Sequence, residues 1–413
     1  MKLKWKIIVL INIIFIFFVS FKILQPENED EDVWGDNPLP TSASRESRQL
    51  VKILQEKYML KSEYCQSDDD PWKIAADWVK RREIIPENAP KLGCVLHSLK
   101  SGKILSADVG YKGTQLKLTL QLEGGQRVIF KPKWFERDFV QETIISGGDR
   151  HNGEIATFHL GRLLEFRRTP IAVGRKINLK TEIIPVATER LLKTFFTKGR
   201  NQCFYGKCLY CKDESTGVCA EGDILEGVII LWLPNTYPLK VYPSPWLRSY
   251  KAGVTKRWES NKDFCKDVIM RQPYDSGPIL MDLIDATIVD YLIGNADRHH
   301  YETLGTKSDS MVLILDNGKS FGNPDYDEYT ILAPLYQCCK IRESTWQTLL
   351  MLRNTVLSKT LQTLLSQDSI EPVLHDKYYA ALDRRLERIL LEVNECIVSK
   401  GLHQVITDTS THS

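Results

Sequence analysis

Two acids, Asp297 and Asp316, stand about twenty residues apart in the stretch LIGNADRHHYETLGTKSDSMVLILDNGKSFGNP (292–324). Asp297 falls in a turn after an apolar helical run, and Asp316 closes a short apolar strand expected at Met311–Leu315. A carboxylate in a turn suits a base that takes the proton of an acceptor hydroxyl. One at a strand end suits a hard cation, Mg²⁺ or Mn²⁺, held through oxygen. Phosphoryl transfer asks for these two roles and for a cation on the phosphates. Lys131 at the end of RVIFK supplies that point charge. Glu154, early in the next helical segment, is the acid that would hold it. His299 and His300 follow Asp297; adjacent side chains point in different directions, which favours structural hydrogen bonding over metal ligation. The glycine loop is the weak part. DVGYKGTQ offers Gly110 and Gly113 only, which departs from G-x-G-x-x-G, and no Walker A motif is present.

The elements that must position these residues change character along the chain. PWKIAADWVKRREIIP sets Trp72, Ile74, Ala75, Trp78 and Val79 at helical spacing. LKLTLQL alternates with period two, EGGQ reads as a hairpin turn, and RVIFK returns as a strand stopped by Pro132. RHNGEIATFHLGRLLEF is a helix carrying Glu154, and GVIILWLP is a strand stopped by Pro234. Beyond it the chain reads as helical: PILMDLIDATIVDYLIGN is a buried helix ended by Gly294, and two amphipathic helices are expected between Ser344 and Ser399. A strand-rich first part thus meets a helical second part near Trp232–Pro234, the layout of a two-lobed nucleotide kinase.

The chain has 413 residues, 43% hydrophobic and 26% charged, with a net charge of +2. That balance gives no indication of nucleic-acid binding. The N-terminus carries Lys2, Lys4 and Lys6 before an apolar run, so residues 1–24 read as a signal anchor rather than a cleaved signal, with the basic side cytoplasmic and the remainder lumenal. Residues 25–62 read as a flexible stem, with a short helical stretch near Gln49–Ser62 at its end. The lobes are then 63–231, with a cysteine-rich insertion, and 232–413, beginning at the hinge. Ten cysteines in a secretory chain favour disulfides. Zinc is the competing reading of the single CxxC in CFYGKCLYCKDESTGVC, and no second CxxC or HxxxH supports it.

Six separated motifs, DVGYKGTQLK, RHNGEIATFHL, NQCFYGKCLYC, LIGNADRHHYE, LDNGKSFGNP and ILAPLYQCC, resemble in order those of the secretory-pathway kinase family that contains the Golgi casein kinase. The resemblance spans roughly residues 70–400. It implies an α+β, atypical protein-kinase-like fold stapled by disulfides. It implies Lys131 as the nucleotide lysine, Glu154 as its helix partner, Asp149 and Asp316 as metal acids and Asp297 as the catalytic residue. Glu302 stands where ordinary kinases have a metal-binding Asn, an added charge that suits Mn²⁺, with Mg²⁺ as the alternative. Gln115 is expected at the nucleotide, and Trp232, Leu233, Pro234, Asn235 and Thr236 at the hinge. The implied bridges are Cys203–Cys219, Cys208–Cys211, Cys265–Cys338 and Cys339–Cys396; Cys65 and Cys94 lie outside that pattern, as a fifth bridge or free thiols. Within the family the motifs come nearest to members acting on sugar. This implies transfer from ATP to the 2-hydroxyl of xylose in the Gal-Xyl-Ser linkage glycan of proteoglycan core proteins. The expected location is the Golgi membrane, single-pass type II with a lumenal catalytic domain, in part secreted. A protein kinase for Ser-x-Glu sites is the alternative within the family. A pseudokinase scaffold is disfavoured because Lys131, Asp297 and Asp316 are all present.

Overall fold

The computed structural model describes residues 41–59, 65–110, 113–143, 148–251, 253–305 and 309–407. The expected anchor, 1–24, lies outside them. From Arg45 onward the described residues form one compact unit. Helix α1 (Thr41–Tyr58) begins well before the helical stretch expected at Gln49 and occupies the end of the expected stem. Its Val51, Leu54 and Tyr58, spaced three and four apart, are buried in the core, which is why the segment is ordered. Helices α2 (Pro71–Trp78) and α3 (Leu92–Ser101) follow. Asp70 caps α2 by accepting from the Trp72 and Lys73 amides, with Pro71 at the first helical position.

The first lobe is built on a sheet of β1 (Ile104–Val109), β2 (Leu118–Leu122), β3 (Arg127–Pro132), β4 (Ala172–Asn178) and β8 (Ile224–Leu231) in the order β1-β2-β3-β8-β4, antiparallel throughout. The expected hairpin is present: Gly124 and Gly125 take φ of 81° and 83° between β2 and β3, which few other residues adopt without strain. Leu118, Leu120, Leu122, Val128 and Phe130 are buried on one face. Alternation puts Lys117, Thr119, Gln121, Ile129 and Lys131 on the other. Helix α4 (His151–Leu163) packs against β8 and β4. The cysteine-rich insertion folds as a small sheet of β5 (Phe195–Lys198), β6 (Asn201–Phe204) and β7 (Val218–Cys219).

After β8 the chain is less purely helical than expected. Strands β9 (Leu239–Pro243), β10 (His300–Leu304) and β11 (Val312–Leu313) form a three-stranded sheet. Strand β9 is a short exposed edge whose alternating Leu239 and Val241 face solvent, and the strand before Asp316 is shorter than Met311–Leu315. Helix α5 (Ile279–Ile293) is buried along its whole length, as expected. Gly294 ends it at φ 71°, where a Cβ would stand 3.1 Å from the Arg385 guanidinium. Three helices, not two, occupy the stretch expected at Ser344–Ser399: α6 (Glu343–Leu352), α7 (Val356–Leu365) and α8 (Asp376–Lys400). The break between α6 and α7 is made by Asn354 and Thr355 in the left-handed region, without the glycine or proline that would advertise it.

All ten cysteines are bridged: the four implied pairs form, and Cys65–Cys94 is the fifth. Zinc at Cys208 and Cys211 is excluded by their own disulfide.

Candidate active site

Lys131 sits buried at the end of β3 with three acids around its ammonium. Its Nζ lies 2.7 Å from Glu154, 2.9 Å from Asp149 and 2.7 Å from Asp316. Burial alone would lower the Lys131 pKa; the fields of Asp149, Asp316 and Glu154 outweigh it and raise the pKa well above its usual value. Lys131 holds the Asp316 carboxyl below the usual carboxylate range, against the effect of burial. Asp316 nonetheless keeps its side chain 66% exposed, whereas those of Asp149 and Glu154 are nearly enclosed; none of the three lines the hinge cleft. Asp316 also has φ 57°, a left-handed backbone that aspartate tolerates better than most residues.

Asp297 is reached through the residue after it. Arg298 binds Asp290 of α5 through two nitrogens, then donates to the Leu315 carbonyl at 2.7 Å and to the Asn317 side chain at 3.0 Å. Leu315 and Asn317 flank Asp316. Asn317 in turn donates to Glu154 through its backbone N–H and its Nδ2, each at 3.1 Å. One continuous network therefore runs from the turn of Asp297, through Arg298 and Asn317, to Glu154, Lys131, Asp149 and Asp316. At the turn, the Asp297 amide donates to Asn295, and the Tyr250 hydroxyl donates to Asp297 Oδ1. Hydrogen bonding to Asp297 raises the His299 pKa, against burial.

The hinge residues Trp232, Leu233, Pro234 and Asn235 line a cleft of about 410 Å³, with Thr119, Gln121 and Arg127 of the Lys131-bearing face and Trp72, Ala75 and Val79 of α2 and its end. Thr236 is not among its walls. The Trp232 amide is already given to the Arg127 carbonyl and its own carbonyl to Gln126, so this residue offers a ring rather than free backbone groups. Gln115 is half-buried between the glycine loop and β2. The glycine loop leans on the insertion: Leu209 and Tyr210, inside the Cys208–Cys211 bridge, donate to the Gly113 and Thr114 carbonyls at 3.4 and 3.3 Å.

Glu302 is not bonded to the acid cluster; it pairs with His300 at 2.9 Å on β10. Among the described residues no group of three or more His, Cys, Asp or Glu stands ready as a metal cage. The donor set still fits a metal–nucleotide complex. Asp149 and Asp316 share one ammonium, and Mg²⁺-type ions are commonly held by one or two carboxylates with phosphate oxygens completing the sphere. Sequence reasoning missed Lys117, Arg298, Asn317 and Tyr250 as site residues. For Lys117, which feels the charges of Lys131, Asp316, Asp149 and Glu154, a signal existed: period-two spacing puts it on one face with Thr119.

A strand lobe and a helical lobe joined by a hinge cleft, with a Lys–Glu pair facing a strand-end Asp and an Asp-bearing loop, define a protein-kinase-like scaffold. The family described as Golgi casein kinase, C-terminal, Fam20 matches residues 70–405. A glycosaminoglycan xylosylkinase of Homo sapiens is 48% identical over 412 residues, 99% of this chain and 98% of that protein. A solved structure of hydra Fam20 with sugar superposes with a TM-score of 0.81 at 44% identity, covering 83% of this chain and 99% of the other. The Golgi casein kinase with Mn/ADP bound does so with a TM-score of 0.80 at 32% identity, covering 94% and 98%. The chain belongs to the Fam20 family.

Proposed function

We propose that this chain is an ATP-dependent kinase that phosphorylates the 2-hydroxyl of xylose in the Gal-Xyl-Ser linkage glycan of proteoglycan core proteins. The observation that carries the chemistry is the single network joining Lys131, Glu154, Asp149 and Asp316 to the turn of Asp297 through Arg298 and Asn317. A pseudokinase would have no need to keep every member. The acceptor assignment is supported by full-length similarity to a xylosylkinase and by a sugar-bearing structural relative. A relative holding Mn and ADP supports those ligands here. The lysine-flanked apolar segment at the N-terminus supports a Golgi membrane anchor with the catalytic domain in the lumen.

Asp149 and Asp316 would hold the Mn²⁺, which neutralises phosphate charge when bound; Mg²⁺ is the alternative. Lys131 is positioned to exchange its bonds with Asp149 and Asp316 for phosphate oxygens while Glu154 keeps it in place. Asp297 accepts the proton of the attacking hydroxyl. A loose transition state needs little base strength, so placement of the acceptor matters more than basicity. Incubating the purified protein with ATP and Mn²⁺, with a Gal-Xyl glycoside beside a Ser-x-Glu peptide, tests the reading. Phosphorylation of the glycoside is expected; phosphorylation of the peptide alone would move the chain to the protein-kinase branch of the family.

A further inference from the structure

Tyr250 is 56% exposed, lies between β9 and the helical part of the second lobe, and reaches the carboxylate assigned as the base. Its hydroxyl donates to Asp297 Oδ1, and its oxygen is 2.9 Å from His299 Nδ1. The same Nδ1 is 2.8 Å from the Asp297 backbone carbonyl. A carbonyl only accepts, so the proton of His299 sits on Nδ1, directed at that carbonyl and at the Tyr250 oxygen. The Tyr250 proton then has one destination, Asp297 Oδ1. With the Asp297 amide held by Asn295 at 3.0 Å, the base is gripped at its amide, its carbonyl and one carboxylate oxygen. Among the described residues nothing bonds its Oδ2.

We propose that Tyr250, braced by His299, is a positioning residue that turns Asp297 so that Oδ2 faces the acceptor hydroxyl. This rests on the kinase reading above. In the step itself the acceptor oxygen bonds to the γ-phosphorus as the bond to the bridging oxygen breaks. ADP leaves with that electron pair, and the acceptor proton passes to Asp297 Oδ2. The Tyr250 proton stays where it is, on a phenol whose pKa is raised by burial and by Asp297. Rotation of the carboxylate without this grip costs near-attack geometry rather than binding, and a misplacement of about 1 Å is worth on the order of 100-fold.

The test is Tyr250→Phe in the full chain, assayed with ATP, Mn²⁺ and a Gal-Xyl glycoside. The account expects kcat to fall roughly 10- to 100-fold with the KM for ATP and the thermal midpoint unchanged. A double-mutant cycle with Asp297→Asn supplies the discriminating readout. Once the base is gone, Tyr250→Phe should cost nothing further. Wild-type kcat in Tyr250→Phe, a parallel loss of ATP binding, or additive losses in the cycle would each overturn the proposal. Failure of the substrate reading shows separately, as a wild-type chain that phosphorylates the Ser-x-Glu peptide alone. The cycle is then run on that peptide with the same expectation.

Discussion

Asp316 shows how a sequence signal and a structural one reinforce each other. An acid after an apolar run has many uses, including a simple Asx turn. Here it keeps a left-handed backbone, touches the ammonium that also holds Asp149 and Glu154, and still stays largely exposed. Asp316→Ala should therefore lower phosphoryl transfer by about 100- to 1,000-fold and leave the thermal midpoint near that of the wild type. Turnover at the wild-type rate with Mn²⁺ would remove its metal role. Lys131, Glu154, Asp149, Asp297 and Asp316 were legible from residue type, placement and motif resemblance. Arg298 and Asn317 were not, because their importance lies in partners that sequence does not pair: Asp290, eight positions upstream of Arg298, and Glu154, far away on α4.

Helix α5 carries the second lesson. Its apolar run was plain, yet it also holds Asp282, Asp285 and Asp290, all buried. Acids on a helix with no wet face require buried cations. Asp282 pairs with Arg82, Arg168 and Arg342, and Asp285 with Arg168 and Arg342. Arg82 and Arg168 come from before the hinge, and Asp282 also accepts the Val312 amide of β11, so this cluster ties the two lobes to the strand that leads to Asp316. Asp282→Ala would take the carboxylate from Arg82 and leave Arg168 and Arg342 sharing Asp285 alone, and should cost about 3–5 kcal/mol in urea unfolding; a loss within experimental error would show that the cluster is not holding the lobes. Acid should act on the same interactions. Burial would raise the Asp282 and Glu226 carboxyls, but their hydrogen-bonding and charged partners win. Arg168, Arg342 and Arg82 bring Asp282 to about 2, and His151 and Arg137 bring Glu226 to about 2. Both folded values lie below the ordinary 3.8 and 4.5, so this stability is present above about pH 4.5 and drains as pH falls toward 2. The urea midpoint should drop across that window, and less steeply in Glu226→Gln. A flat midpoint would contradict the pairing.

The fold class was readable because period-two and helical patterns occupy different halves of the chain, and because the motif order is specific. What escaped notice was the pairing of the expected strand before Asp316 into a sheet with β10 and β9, whose outer strand is short and exposed, and the α6–α7 break. Disulfide pairing was carried by resemblance, since counting alone leaves connectivity open. The five bridges staple the first lobe, the insertion and the second lobe separately. The 73-residue separation of Cys265 and Cys338 makes that bridge a strong constraint on the unfolded chain, worth roughly 4 kcal/mol by loop closure. Non-reducing peptide mapping should find all five pairs, and reduction should lower the thermal midpoint by several degrees; a midpoint indifferent to reductant would argue that the bridges add little.

The central claim, that this scaffold places a linkage disaccharide for phosphorylation, is tested most directly by comparing kcat/KM for three acceptors with one enzyme preparation: a Gal-Xyl glycoside, a simple xyloside and a Ser-x-Glu peptide. A site built to hydrogen-bond galactose leaves polar groups unpaired when galactose is missing. The account predicts the disaccharide far ahead of the xyloside, with the peptide poorest. A peptide preferred over both sugars would contradict it.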